Sequence, residues 1–356
     1  MINKSDGLGS ETFHMGDSQR MIGHEGQGWT RREFLYALAG GIVLASGVSA
    51  GQWYFRPRLR SETIVARVSE YGGNLSAVMV EGIHELRVAP EEIRGKRILL
   101  KPNLVETSKG APHINTHPLV LRGAIEAFLR LGAEKVMVAE GPGHRRDTIA
   151  VYEESGLADV LAEDRIRFYD LNYITGYTIQ NLGGQSSLRT LTFPSLFKEV
   201  DWIVSVAKMK THHWAGATLS MKNLFGVLPG IYYGWPKNVL HQAGIENSIL
   251  DINATLKPHF AIVDGIVGME GDGPIMGTPK KVGVLVMGRS CAAVDATCCR
   301  IMGIDPFKVQ YLSRSDNWLG PIDEDFIEQR GEPIASVRTN FFLIDQIPAH
   351  RGIRLA

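Results

Sequence analysis

The segment Asp201 to Gly226, DWIVSVAKMKTHHWAGATLSMKNLFG, gathers Lys208, Lys210, His212, His213 and Lys222 behind the apolar run Trp202 to Ala207. That run reads as a buried strand, so the backbone carrying the charges is held in place. A lysine ammonium is a compact charge on a long stem and suits an anionic group. Lys222 and Asn223, inside a helix expected over Ala217 to Leu228, add a charge and an amide from one side. The bland alternative is a solvated lysine face. Adjacent histidines point oppositely in a strand and about 100° apart in a helix, so His212 and His213 do not share one small ion. One of them, taken as His212, carries a proton or ligates; the other packs or caps.

The elements that must position these residues form a regular series. Arg97 to Leu100 is a short buried strand that stops at Lys101-Pro102-Asn103, because proline donates nothing to a sheet. A helix starts at Pro118, capped by Thr116, and ends before Gly132. Lys135 to Ala139 is a second strand, which delivers Glu140 and then Gly141-Pro142-Gly143-His144. Asp147 to Leu157 reads as helix and Arg165 to Leu171 as strand, ending at Asp170 and Asn172; Tyr173 to Pro194 alternates like an inserted hairpin. After Trp202 to Ala207 come a helix over Glu246 to Leu256, strands Phe260 to Val263 and Val282 to Met287, and a helix over Cys291 to Met302. This rhythm predicts an α/β fold with a mainly parallel or mixed sheet, helices on both faces and a hairpin-like insertion.

Ligands on such sheets lie beyond the carboxyl ends of the strands. Collected there, Lys101, Asn103, Lys208, Lys222, Asn223 and Gly273 are expected to bind substrate, with Lys210, His212 and Asp264 catalytic. Glu140, Asp272 and Asp295 are expected to supply hard oxygen ligands for a divalent metal such as magnesium, calcium or manganese. The competing reading is a set of independent salt bridges at loop bases. Gly265 to Gly277, GIVGMEGDGPIMG, is either a loop whose amides approach a phosphate or carboxylate closely, or a plain turn at Gly271-Asp272-Gly273-Pro274. Asp295, in an apolar helix, is either a buried partner for a lysine or a cap-like structural group. No P-loop, HExxH pair, Rossmann fingerprint or ordered Ser-His-Asp set occurs.

With 38 basic and 38 acidic residues in 356, the chain has no global field to collect nucleic acid or an anionic membrane, so anion binding must be local. Thr30-Arg31-Arg32-Glu33-Phe34-Leu35 leads into an uncharged run to Gly51, the outline of a twin-arginine export signal, with small residues at Val48-Ser49-Ala50 for cleavage. The expected organisation is a signal at 1–50, a linker at 51–62 and an α/β domain over 63–356, as one body or as two lobes meeting near 173–200. The expected partners are the twin-arginine translocase and a small anionic ligand. Membrane contact is expected only through an uncleaved N-terminal segment, and the location is the periplasm or the outer face of the cytoplasmic membrane. Cys291, Cys298 and Cys299 lack any CxxC spacing, so no protein-ligated iron-sulfur cluster is expected and core packing is the leading role for all three.

Several pieces taken in order resemble the family known as domain of unknown function 362. They are RILLKPNLV at Arg97 to Val105, the THP-started helix at Thr116, GAEKVMVAEGPG at Gly132 to Gly143, KMKTHHWAGATLSMKNLFG at Lys208 to Gly226, IVDGIVGMEGDGPIMGTP at Ile262 to Pro279 and VDATCCRIMGIDP at Val294 to Pro306. Many relatives append a ferredoxin-like iron-sulfur segment, which this sequence lacks. The resemblance implies no activity. Three functions compete: an exported enzyme acting on an anionic small molecule in a Lys/His/Asp-lined cleft, a non-catalytic ligand-binding or cofactor-handling envelope protein, and a redox-associated protein.

Overall fold

The computed structural model describes residues 57–356 apart from 108–109 and 144–146. The expected signal at 1–50, most of the linker and His144 lie outside the described residues. Arg58–Ala356 forms one compact unit. Its first strand, β1 (Ser61–Arg67), begins inside the expected linker, and helix α1 (Leu75–Glu85) follows it.

The chain then runs through β2 (Arg97–Pro102), α2 (Pro118–Arg130), β3 (Lys135–Glu140), α3 (Thr148–Glu154), α4 (Leu157–Glu163), β4 (Phe168–Asp170) and the hairpin β5 (Gly176–Gln180) and β6 (Thr190–Pro194). Next come β7 (Trp202–His212), β8 (Gly216–Thr218), α5 (Ser220–Asn223), α6 (Asn238–Gln242), α7 (Ile245–Leu256), β9 (Phe260–Glu270), β10 (Thr278–Gly288), α8 (Cys291–Ile301) and β11 (Ile327–Gly331). Nine strands make one mixed sheet in the order β11-β1-β10-β9-β7-β2-β3-β4, with β8 on β7. The block β9-β7-β2-β3-β4 is parallel, and β10 runs antiparallel to both β9 and β1.

Alternation along the strands feeds two cores. Ile98, Leu100, Val204 and Val206 pack with α1 and α2 on one face. Leu99, Ile203 and Ala207 pack on the other with α5, α7, α8 and the hairpin. Each such fully buried aliphatic side chain contributes about 1.5–3 kcal/mol of transfer free energy. The hairpin is tied down by Asp251 of α7, whose carboxylate accepts from Gln185 N, Ser186 N and Asn181 Nδ2. All three cysteines are buried and unbonded, and burial pushes the Cys291 thiol up to about 12, which leaves it a packing group.

Four expectations about local structure change. The N-cap of α2 is His117, whose Nδ1 accepts from Leu119 N. Thr116 instead receives Asn103 N on its hydroxyl and donates to Val206 O, joining β2 to β7. The helix expected over Ala217 to Leu228 is one turn, α5, followed by a 3₁₀ turn, because Gly216–Thr218 pairs back onto β7 and Leu219 is extended. The strand expected over Arg165 to Leu171 shortens to Phe168–Asp170. Finally, β7 continues through Lys208, Lys210 and His212, and β9 through Asp264 to Glu270, so these charges sit within strands rather than after them.

Candidate functional site

Beyond the carboxyl ends of β2 and β3 lies a cavity of about 570 Å³. Lys101, Asn103, Glu140, His212, His213, Lys222, Asn223 and Asp272 from the sequence reading line it, with Thr218, Lys237 and His241 added. Its apolar wall includes Trp214, Phe225 and Met276.

Lys101 and Glu140 form its floor. The ammonium donates to Glu140 Oε2 at 2.5 Å, Asn223 Oδ1 at 3.0 Å and Pro102 O at 2.9 Å, so all three protons are used. Glu140 also accepts from Leu104 N and Gly141 N. A side chain at Gly226 would overlap Glu140 Oε1 and crowd Lys101 Nζ, so only glycine lets this backbone approach the pair. Asn223 is the hub of the floor. Its Oδ1 is fixed as an acceptor by Lys101, and its Nδ2 donates to Lys101 O and Ser205 Oγ at 3.0 Å each. Asn103 must therefore turn its Nδ2 to Asn223 Oδ1, at 3.2 Å, which leaves Asn103 Oδ1 buried without a partner among the described residues. Thr218 Oγ1 is likewise buried and has no partner among the described residues.

Two cleft histidines are held in opposite tautomers. His212 Nδ1 accepts from Trp214 N at 3.0 Å and Ala215 N at 3.2 Å, so the proton of the neutral ring sits on Nε2. Burial, reinforced by Lys222 and the neighbouring rings, holds its pKa well below the ordinary value and keeps it neutral. His241 Nδ1 lies 3.0 Å from Lys237 O, which only accepts, so that nitrogen carries the proton and Nε2 is left as a bare acceptor. Burial lowers His241 too, with Lys222 adding to the effect. Trp214 packs edge-on to His241 at 5.3 Å and lies 6.3 Å from His212, centroid to centroid.

Lys222, on α5, lies deep yet keeps surface open to the cleft. Its Nζ sits 4.1 Å from the Phe225 ring centroid; the described residues give it no hydrogen bond or ion pair, and Glu140 acts on it only at longer range. Burial brings its pKa down to about 7, with Lys101 lowering it further. Lys237 is also brought down to about 7 by burial, but its Nζ donates to Asn172 Oδ1 at 3.1 Å and to Leu228 O.

The remaining candidates lie apart from the cleft. Lys208 and Asp264 pair at 2.7 Å in the other core, where Lys208 also donates to Tyr71 Oη and Val267 O. Asp264 accepts in addition from His117 N, Ile266 N and Tyr71 Oη. Every polar atom of this pair is committed, which makes it a joint between β7, β9 and the start of α2. Tyr71 stacks on His117 at 3.6 Å; burial raises the tyrosine far above its usual value and lowers His117 to about 4. Lys210 donates to Ile114 O and Pro274 O and so clamps two loops together. Gly273 uses its amide on Gly271 O, and a side chain there would overlap Thr211 O; the loop packs on β7 and presents no free glycine amide at this position.

The expected metal ligands separate as well. Glu140 is bound by Lys101, Asp272 faces His213 at 3.2 Å on the rim, and Asp295 is enclosed beneath α5. Among the described residues no group of three or more His, Cys, Asp or Glu side chains is placed to hold a metal. Asp295 takes the second of its two expected roles: Oδ1 accepts from Ser220 N at 2.7 Å and Ser220 Oγ at 2.5 Å, and Oδ2 from Met221 N at 2.9 Å. It thereby fixes the turn whose next residue is Lys222. Burial raises its pKa to about 7.

Fold and site together define an α/β domain with a mixed nine-stranded sheet and a lysine- and histidine-lined cleft at the carboxyl ends of its parallel strands. The chain belongs to the family described as Domain of unknown function (DUF362), whose model matches residues 98–300. It is 26% identical over 232 residues to a thylakoid-associated protein of Synechocystis sp., a match spanning 62% of this chain and 68% of that protein. Among solved structures, the lactate racemase apoprotein from Thermoanaerobacterium thermosaccharolyticum aligns with a TM-score of 0.40 and 16% identity, over 69% of this chain. A Thermotoga maritima protein aligns with a TM-score of 0.36 and 14% identity, over 63% of this chain. This chain spans 58% of the length of each of those two, and at such scores neither activity nor ligand transfers.

Proposed function

We propose that the protein is an enzyme that binds an anionic small molecule in this cleft and acts on it by proton transfer. The carrying observation is the pair of fixed, opposite tautomers: His212 offers an Nε2–H donor and His241 a bare Nε2 acceptor, in one cavity with the amine of Lys222, which has no hydrogen-bonding partner among the described residues. A neutral donor stabilises charge developing on a substrate oxygen, and a neutral acceptor takes the proton that must leave. Among the described residues neither Lys222 nor Lys237 forms an ion pair, and Glu140, the nearby carboxylate that acts on both, is already held by Lys101, so the positive charge they carry when protonated is available to an anion. Asn103 Oδ1 and Thr218 Oγ1, buried in the wall without partners among the described residues, are the atoms a ligand or water donor satisfies.

The protein is further proposed to work outside the cytoplasm, exported by the twin-arginine route. The Thr30–Leu35 segment with its uncharged run supports this, as does the thylakoid association of its relative. Among the described residues no helix is long and apolar enough to cross a membrane. The test is mass spectrometry of a small-molecule extract incubated with the full chain and with His241→Phe. A consumed anion and a new product with the first protein only is expected; stoichiometric binding without a product would replace catalysis by ligand carriage.

A further inference from the structure

Among the described residues four lysines are buried and immobilised, and a fifth, Lys222, is half-buried at the cleft. Lys101 spends its protons on Glu140, Asn223 and a carbonyl; Lys208 on Asp264, Tyr71 and a carbonyl; Lys210 on two carbonyls; and Lys237 on Asn172 and a carbonyl. Lys222 alone among them has no hydrogen-bonding partner in the described residues, and its amine opens into the cleft beside the Phe225 ring. An amine that faces the cleft and is bonded to nothing in the described residues is free to meet a ligand. Its chain position is nonetheless fixed, because Asp295 holds the two preceding amides through Oδ1 and Oδ2. A mobile surface lysine has no such anchor.

Other nucleophiles are spent or enclosed. The three thiols are buried and raised, and the hydroxyls of Ser205 and Ser220 donate to Ser220 O and to Asp295. Around Lys222 the cleft then holds what carbonyl addition requires: an amine, the His212 Nε2–H to receive charge on oxygen, and the bare His241 Nε2 to receive a proton.

We propose that Lys222 is a covalent nucleophile that forms an imine with an aldehyde or ketone group of the anionic ligand. This rests on the reading of the cleft as an anion-processing site. The Nζ lone pair attacks the carbonyl carbon, the C–N bond forms and the π pair moves to oxygen, which the His212 Nε2–H stabilises. One Nζ proton passes to His241 Nε2 and on to that oxygen. The nitrogen lone pair then expels the hydroxyl, which leaves as water with the second Nζ proton, again relayed by His241. The sum is amine plus carbonyl giving imine plus water, with no oxidant or metal required. The neutral amine that attack needs is available near pH 7 because burial lowers Lys222.

The experiment uses the full chain with glyoxylate as the carbonyl probe and glycolate, the same anion without a carbonyl, as its control. Borohydride added to the glyoxylate mixture converts an imine to a stable secondary amine, which peptide mass mapping locates. The expected result is an adduct on Lys222 in the wild type and about tenfold less or none in Lys222→Arg, which keeps the charge and loses the nucleophile. Calorimetry with glycolate on both proteins reports the anion site separately and shows that the variant is folded. Glycolate binding without a Lys222 adduct would overturn the imine and leave the anion site standing. Neither binding nor adduct would overturn both.

Discussion

Removing Lys208 should cost stability and leave the cleft intact, because the Lys208–Asp264 pair is a joint and not part of the site. Both side chains have no exposed surface, and their 2.7 Å contact is supported on the Asp264 side by Tyr71 and two backbone amides. Lys208→Met removes the cation and strands a buried carboxylate, a loss of about 3–5 kcal/mol in comparable pairs. At roughly 2 °C per kcal/mol for a domain of this size, the melting temperature falls by about 6–10 °C. Lys208→Met with Asp264→Leu removes both charges, and replacing a buried pair by apolar groups is often near neutral, so the double variant should recover most of the loss. Differential scanning calorimetry reads both changes, and calorimetric titration with glycolate shows whether the cleft is affected. A Lys208→Met protein that keeps its melting temperature but loses anion binding would refute this assignment and return Lys208 to the site.

Asp295→Asn places an NH₂ group against Met221 N–H or Ser220 N–H, so it should cost about 1–3 kcal/mol and weaken anion binding several-fold through Lys222, read by urea unfolding and titration. Gly226→Ala should prove more disruptive than a surface alanine, since the added methyl overlaps Glu140; circular dichroism melts measure it. The pH dependence has two opposite signs. Lys222 and Lys237, both near 7 when folded against an ordinary 10.5, bind an anion best when protonated, so affinity falls as pH rises through about 7. In the same window the unfolded chain holds more protons than the folded one, so stability rises with pH from about 7 toward 10.5. Titration and unfolding across that range separate the two trends. Arg31→Lys with Arg32→Lys should leave the protein in the cytoplasm on cell fractionation.

Much of the floor was legible in the sequence. Between their charged first residues and their ends, RILLKP and KVMVAE are apolar on both faces (ILL and VMVA), so the switch in polarity at Lys101 and Glu140 marks the true carboxyl ends and places Lys101, Asn103 and Glu140 at the cleft. The same rule fails on β7 and β9. There Lys208 and Asp264 face each other across adjacent strands, so the sheet continues past the change in polarity, and residues read as strand-end ligands become a buried pair. The apolar spacing after Ala217 resembles a long helix, but pairing of β8 with β7 and the grip of Asp295 on Ser220 and Met221 confine it to one turn. Lys237 and His241 were missed because no strand delivers them. Their i, i+4 spacing in WPKNVLHQ was the available signal, and what gives it meaning is a hydrogen bond from ring to backbone that only the fold reveals.

Proton transfer in the cleft depends on the two histidine tautomers, and nitrogen-15 correlation spectroscopy of histidine-labelled protein near neutral pH reads them directly. His212 should be neutral with its proton on Nε2, and His241 neutral with its proton on Nδ1. Finding both rings protonated on the same nitrogen, or either ring charged at that pH, would contradict the donor and acceptor roles assigned to them.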